Sequence, residues 1–391
     1  MELFSDNLES IEQELELIKD SFIKTGPKGF TDSFEMLESF YKIMFEISGE
    51  EDAETVDLLL KNKKYIERKA RERKLLRTKN IKNFIKDKKH HNEFSTKVLD
   101  LYSKEYKTYI SKPLYLKENQ IIEIMCDFLN DEFNQADKFI ELIENKRIYK
   151  LIPGEQNKEL LLDDEYAYSL FDYITHNNFI VIGNNKNIRD INLMRMLAHE
   201  FGHVADNFER ANASRNDNIR YYWLSSYAEV YSMLYEKLLY DYLIKNGIFK
   251  ENTGERLVLY FDVIKDNFNN VQYLSELDDY LLQSERYKKE DNVVDQMQIT
   301  EDGVMVIDPA IFNDFNANKL YSYGGLMAQY FSCLKHEDPD MFNRMFSNFK
   351  TKRFGLFDFK IFEDIGTNED EIIKIFNKGL DEVTTKKLIL K

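Results

Sequence analysis

Apolar residues recur at intervals of three and four along most of this chain, so the pattern predicts helices first. Phe34, Leu37, Tyr41, Met44 and Phe45 keep this spacing within a region, about 8 to 110, that reads as helical. Pro113 in "SKPLYL" interrupts it, and a second helical stretch is predicted from about 117 to 146. The pattern then changes. In "NNFIVIGNN", residues 177–185, four apolar residues run without a break from Phe179 to Ile182, flanked by Asn pairs and ended by Gly183, which predicts a strand. Helical spacing returns near residue 190. Leu193, Leu197, Phe201 and Val204 form one stripe, and Asp190 is placed to cap the helix that carries it. A further helix is expected over 225–247, with Ser225 or Ser226 as its cap and Gly247 at its end. The chain therefore divides into an N-terminal helical region, 1–115, and a second region, 116–391, and the expected fold is mainly α with a small β-sheet.

Composition supports helices. Gly is 14 and Pro 5 of 391 residues, both sparse, and 43% of the chain is apolar, enough for a sizeable core. The net charge of −16 argues against nucleic acid or an anionic membrane as a general partner. Positive charge is concentrated in residues 61–89, where fourteen Lys or Arg face three acids. That segment reads as a solvated helix pairing with acidic surface, or as an interaction surface for a polyanion. Cys126 and Cys333 lie far apart and give no disulfide framework. The acidic start, MELFSDNLES, is unlike a secretory signal, and no run of 18 apolar residues occurs. A cytoplasmic protein without membrane contact is the expectation.

The chemistry is concentrated in "MLAHEFGHVAD", residues 196–206. On a helix, His199 and His203 lie one turn apart, with Cβ atoms about 5–6 Å from each other. Two imidazoles so placed can share one zinc ion. Glu200 is about 100° round the helix, beside the ion without ligating it, which is the arrangement of a general base. Catalytic zinc usually takes a third protein ligand and leaves the fourth position for water. A downstream carboxylate or histidine is therefore required; the next histidine is His336, and a glutamate on a second helix is the expected ligand. On the helix predicted over 225–247, Glu229, Ser232, Met233 and Glu236 share one face, but spacing alone does not separate Glu229 from the many other glutamates.

"LAHEFGH" followed by "YAEVYSMLYE" resembles the zinc oligopeptidases that include thimet oligopeptidase and oligoendopeptidase F. Those enzymes follow H-E-F-G-H with a helix of the form E-x-x-S-x-x-x-E, matched here by Glu229, Ser232 and Glu236. The resemblance implies that Glu229 is the third ligand of a single zinc ion. It also implies a zincin-type metallopeptidase with a deep substrate cleft, and a strand at 179–182 forming the sheet edge on which peptides lie. "NKLYSYGGLMAQYF", residues 318–331, is similar to the family's Tyr- and Gly-rich segment, so Tyr323 and Tyr321 are candidate donors to the oxyanion, unless they only pack. The Gly324-Gly325 pair suggests a flexible loop there. The likeness is concentrated in residues 178–240. "DPAIFNDFNANK", residues 308–319, lacks a histidine that usually precedes the Tyr-rich segment, and "NKELLLDDEYAY", residues 157–168, stands in place of a Gly-rich one.

The expected activity is zinc-dependent hydrolysis of short peptides, with His199, His203 and Glu229 as ligands, Glu200 as general base, and Tyr323 and Tyr321 at the oxyanion. Two other readings remain: a catalytically weak peptide-binding protein on a peptidase scaffold, and an interaction protein built around residues 61–89. The sequence leaves oligomeric state and cleavage preference open.

Overall fold

A computed structural model of the chain describes residues 2–4, 8–25, 37, 41, 44, 52–62, 116–151, 165–171, 177–184, 191–212, 227–248, 324–325, 327–352, 360–372 and 374. The chain separates into two compact units, Met1–Glu72 with Pro113–Ser214 and Arg73–Lys112 with Arg215–Lys391. Both units are mainly helical in their described parts, and a single three-stranded sheet is found among the described residues.

In the first unit, helix α1 (Leu8–Thr25) buries Leu15 and Ile18, and α2 (Ala53–Lys61) is capped by the Asp52 side chain, which accepts from the N–H groups of Glu54 and Thr55. The same carboxylate accepts from the buried Lys19 ammonium at 2.8 Å and thereby ties α2 to α1. The helix expected over 117–146 is two helices, α3 (Glu118–Phe133) and α4 (Ala136–Glu144). The break lies at Asn134, whose φ of 54° puts it in the left-handed region that Asn tolerates better than most residues.

Strands β1 (Ile148–Leu151), β2 (Glu165–Phe171) and β3 (Asn178–Asn184) form the sheet in the order β1-β3-β2. Strand β3 pairs parallel with β1 and antiparallel with β2. The strand expected over 179–182 is therefore present, but it is the middle strand and not the edge. Its composition explains this. Phe179, Ile180, Val181 and Ile182 are all buried, because helices cover both faces of the sheet and an unbroken apolar run satisfies both. Phe179 and Val181 join Tyr149, Leu15, Ile18, Leu37 and Met44 in one core. By the two-residue period of a strand, Asn178, Ile180 and Ile182 point to the opposite face.

That opposite face receives α5 (Ile191–Asn212), which packs against β2 and β3. The predicted stripe of Leu193, Leu197, Phe201 and Val204 is fully buried, and the Phe201 ring meets Phe139 of α4 edge-on at 5.8 Å. Asn207 of α5 donates to the Asn178 side chain at 3.1 Å within the core, which fixes the helix to the start of β3. The cap expected at Asp190 lies outside the described residues.

In the second unit, α6 (Val230–Lys245) is buried almost all round, with Tyr231, Leu234, Tyr235, Leu238, Leu239 and Tyr242 facing several directions. It ends as the sequence indicates: Gly247 has φ 66°, and the N–H of Ile248 reaches back to the Leu243 carbonyl at 3.2 Å. Residues 327–337 are helical, and α7 (Pro339–Lys352) follows after a one-residue break at Asp338. Asp338 caps α7 by accepting from the N–H of Met341 at 2.9 Å, with Pro339 at the first helical position. Tyr231, Phe331, Phe342, Phe346 and Phe349 pack with ring centroids 5.1–6.5 Å apart and join these three helices. A short helix, α8 (Lys360–Ile365), packs on α7. Cys126 and Cys333 are both free, and burial pushes the Cys333 thiol up to about 11. Among the described residues no helix is long and apolar enough to cross a membrane.

Candidate metal centre

The two histidines sit in the middle of α5, where the helix ladder fixes their separation. The rings of His199 and His203 have centroids 5.2 Å apart and planes inclined at 78°. Both side chains are half-buried, on the helix flank away from the apolar stripe. Glu200, the next residue, is buried, with 4% of its surface exposed.

Glu229 lies in the turn that leads into α6 rather than within the helix. Its carbonyl accepts from the N–H of Met233 at 3.0 Å, so it occupies the capping position of α6. Ser232, three residues on and fully buried, contributes one hydroxyl within 2.8 Å of the Glu229 carboxylate oxygen Oε2 and 2.9 Å of the Glu229 carbonyl. Glu236, the last member of the E-x-x-S-x-x-x-E pattern, is buried one turn further along. Ser225 and Ser226, the expected caps, lie outside the described residues.

His199, His203 and Glu229 form a group that can hold a metal ion: each offers one ligand atom, and these atoms lie within 4.8 Å of one another. Two imidazoles and a carboxylate are the donor types of a catalytic zinc site, and three protein ligands leave a position open. The donor set therefore fits zinc.

Tyr321 and Tyr323 lie outside the described residues. Gly324 and Gly325, expected in a flexible loop, are helical and buried. His336 is engaged elsewhere, with its Nε2 3.3 Å from Asp241 of α6. Asp241 also accepts from Lys237 at 2.8 Å and from Ser332 at 2.9 Å. Burial pushes the Asp241 carboxyl up, but Lys237 and His336 outweigh it and hold it well below the usual carboxylate range. This part-buried cluster, with His336 on its exposed side, belongs to the packing of α6 against residues 327–337.

The E-x-x-S spacing is the sequence signal for Ser232 as a partner of Glu229, a pairing that the helix face alone does not assign. Nothing in the local pattern announces the pairing of Asn178 with Asn207.

No family model matches the chain, and no curated protein does. Two solved structures are similar. One is a proposed peptidase from Chlamydophila abortus, with a TM-score of 0.50 and 16% identity over 79% of this chain and 55% of that one. The other is a proposed oligoendopeptidase F from Bacillus anthracis str. Ames, with a TM-score of 0.48 and 12% identity over 89% of this chain and 67% of that one. The chain thus spans little more than half of the first structure's length, and at 16% identity that likeness is one of fold.

Proposed function

We propose that this protein is a zinc-dependent metallopeptidase that hydrolyses short peptides. The observation that carries the reading is the group formed by His199, His203 and Glu229, whose ligand atoms lie within 4.8 Å of one another. The fold shared with a proposed peptidase supports the same class of reaction. These three side chains would hold the zinc ion, which would supply Lewis acidity toward a water molecule and the scissile carbonyl.

The remaining roles fall to the protein. Glu200 follows His199 directly and projects from a different side of α5. Its carboxylate takes the proton of the attacking water and then delivers it to the leaving amine. Tyr323, and in second place Tyr321, donate to the oxyanion that develops on the substrate carbonyl. A zincin-type fold with a deep cleft belongs to this reading, and it restricts substrates to short peptides: a quenched peptide should be cleaved while a folded globular protein should not.

Metal analysis of the purified chain, coupled to a quenched-peptide assay with and without chelator, tests the proposal. One zinc per chain and chelator-sensitive cleavage are expected. Glu229→Ala should lose most of its zinc and its activity together. Full occupancy and turnover in that variant would remove Glu229 from the ligand set, and chelator-resistant cleavage by wild type would remove the metal from the reaction.

A further inference from the structure

We infer that Gly324 and Ser232 are positioning residues that hold Glu229 in its ligating posture, Gly324 by having no side chain and Ser232 by a hydrogen bond. This inference rests on the reading of Glu229 as a metal ligand.

The case begins with space. A Cβ placed on Gly324 would stand 2.7 Å from the Glu229 Cβ, 3.0 Å from its carbonyl carbon and 3.3 Å from its Cα. Carbon atoms in ordinary contact are about 3.5–4.0 Å apart. Any other residue at position 324 therefore drives a wedge of roughly 1 Å between its own backbone and that of Glu229. Gly324 is also helical and buried. Glycine in a helix is less favourable than alanine. A conformational need for glycine is absent in a helix, so the close approach to Glu229 is what requires it.

The backbone of Glu229 has little freedom to retreat. Its carbonyl already accepts from the N–H of Met233 at 3.0 Å, the first hydrogen bond of α6. The strain of an added methyl group thus falls on the Glu229 side chain, or on the approach of residues 324–325 to it.

Ser232 acts on the other end of the side chain. Its hydroxyl is buried and has one proton for two acceptors, the Glu229 carbonyl at 2.9 Å and the carboxylate Oε2 at 2.8 Å. A bond to a charged carboxylate is roughly twice as strong as one to a neutral carbonyl, so the proton favours Oε2. One carboxylate oxygen is thereby held by the protein. The pair works as a clamp: Gly324 admits the Cβ, and Ser232 sets the rotation of the carboxylate. Groups that orient a metal ligand typically contribute about 10–100-fold to metal affinity.

The test uses the full-length chain stripped of metal and titrated with zinc against a chromophoric chelator, for wild type, Gly324→Ala, Ser232→Ala and Glu229→Ala. Melting of each metal-free protein is followed by circular dichroism. Ser232→Ala should weaken zinc binding by about 10-fold and Gly324→Ala by up to about 100-fold. The metal-free Ser232→Ala protein should melt like wild type, which keeps the test decisive even if Gly324→Ala fails to fold. Wild-type zinc affinity in Ser232→Ala and in any folded Gly324→Ala, alongside lost affinity in Glu229→Ala, would overturn the positioning role and leave the ligand reading standing. Wild-type affinity in Glu229→Ala would overturn the ligand reading itself, and the clamp with it.

Discussion

The histidines of α5 and the glutamate that precedes α6 are held by opposite means. His199 and His203 take their separation from one helical turn in the middle of a 22-residue helix, so their geometry is a property of consecutive sequence. Glu229 stands where a helix begins, with fewer backbone hydrogen bonds around it, and its side chain is bounded by Gly324, ninety-five positions later. Local geometry secures the first pair. A distant contact and one buried hydroxyl secure the third group. A site assembled in this way should respond differently to perturbation at its two sources.

The largest expected effect comes from α5 itself. Glu200→Gln keeps the shape of the side chain but removes its ability to accept a proton. Zinc content should be unchanged while peptide hydrolysis falls by about 10²–10⁴-fold. Wild-type turnover in this variant would mean that α5 supplies ligands only. Tyr323→Phe is expected to lower kcat by roughly 10²–10³-fold, more than it raises KM, with zinc content unchanged. Tyr321→Phe should cost less, and the reverse ranking would exchange their roles.

A third experiment addresses the comparison directly. Leu197 is fully buried in the apolar stripe of α5, and Leu197→Ala should destabilise the protein by about 2–5 kcal/mol. If the histidine pair is secured by its own helix, the zinc affinity of the folded fraction stays close to wild type, as measured by chelator competition well below the melting temperature. A large loss of affinity would show that α5 depends on distant support as Glu229 does. The smallest effect is expected at Asp338, whose carboxylate caps α7. Asp338→Ala should cost about 1 kcal/mol in denaturant unfolding and leave zinc affinity untouched. A coupled loss of zinc would extend the support of Glu229 as far as α7.

Legibility followed the same division. The stripe of Leu193, Leu197, Phe201 and Val204 was readable because each residue is set by its neighbours three and four away, and all four are buried. The end of α6 at Gly247 was readable from one glycine. The place of β3 in the sheet was not. An apolar run states that both faces are covered, but which strands flank it depends on pairing with β1 and β2, segments that its own pattern does not describe. The division of residues 118–144 into two helices hinged on Asn134, whose left-handed backbone a periodicity count passes over. Gly324 is helical and not in the expected loop for a related reason. Two adjacent glycines suggest a loop when only local conformational freedom is weighed.

The sequence by itself determined the helical class of the chain, the presence of a strand before α5, and the placing on one helix of two imidazoles one turn apart with a carboxylate beside the first. Backbone hydrogen bonds repeat every few residues, so such features need nothing beyond their own segment. Only the tertiary structure decided that β3 is central, that Asn207 anchors α5 to Asn178, and that a glycine near position 324 fits the shape of Glu229. These depend on which surfaces meet after the chain has closed loops of tens of residues. Contact at that range is set by packing and excluded volume, and local spacing carries no record of it.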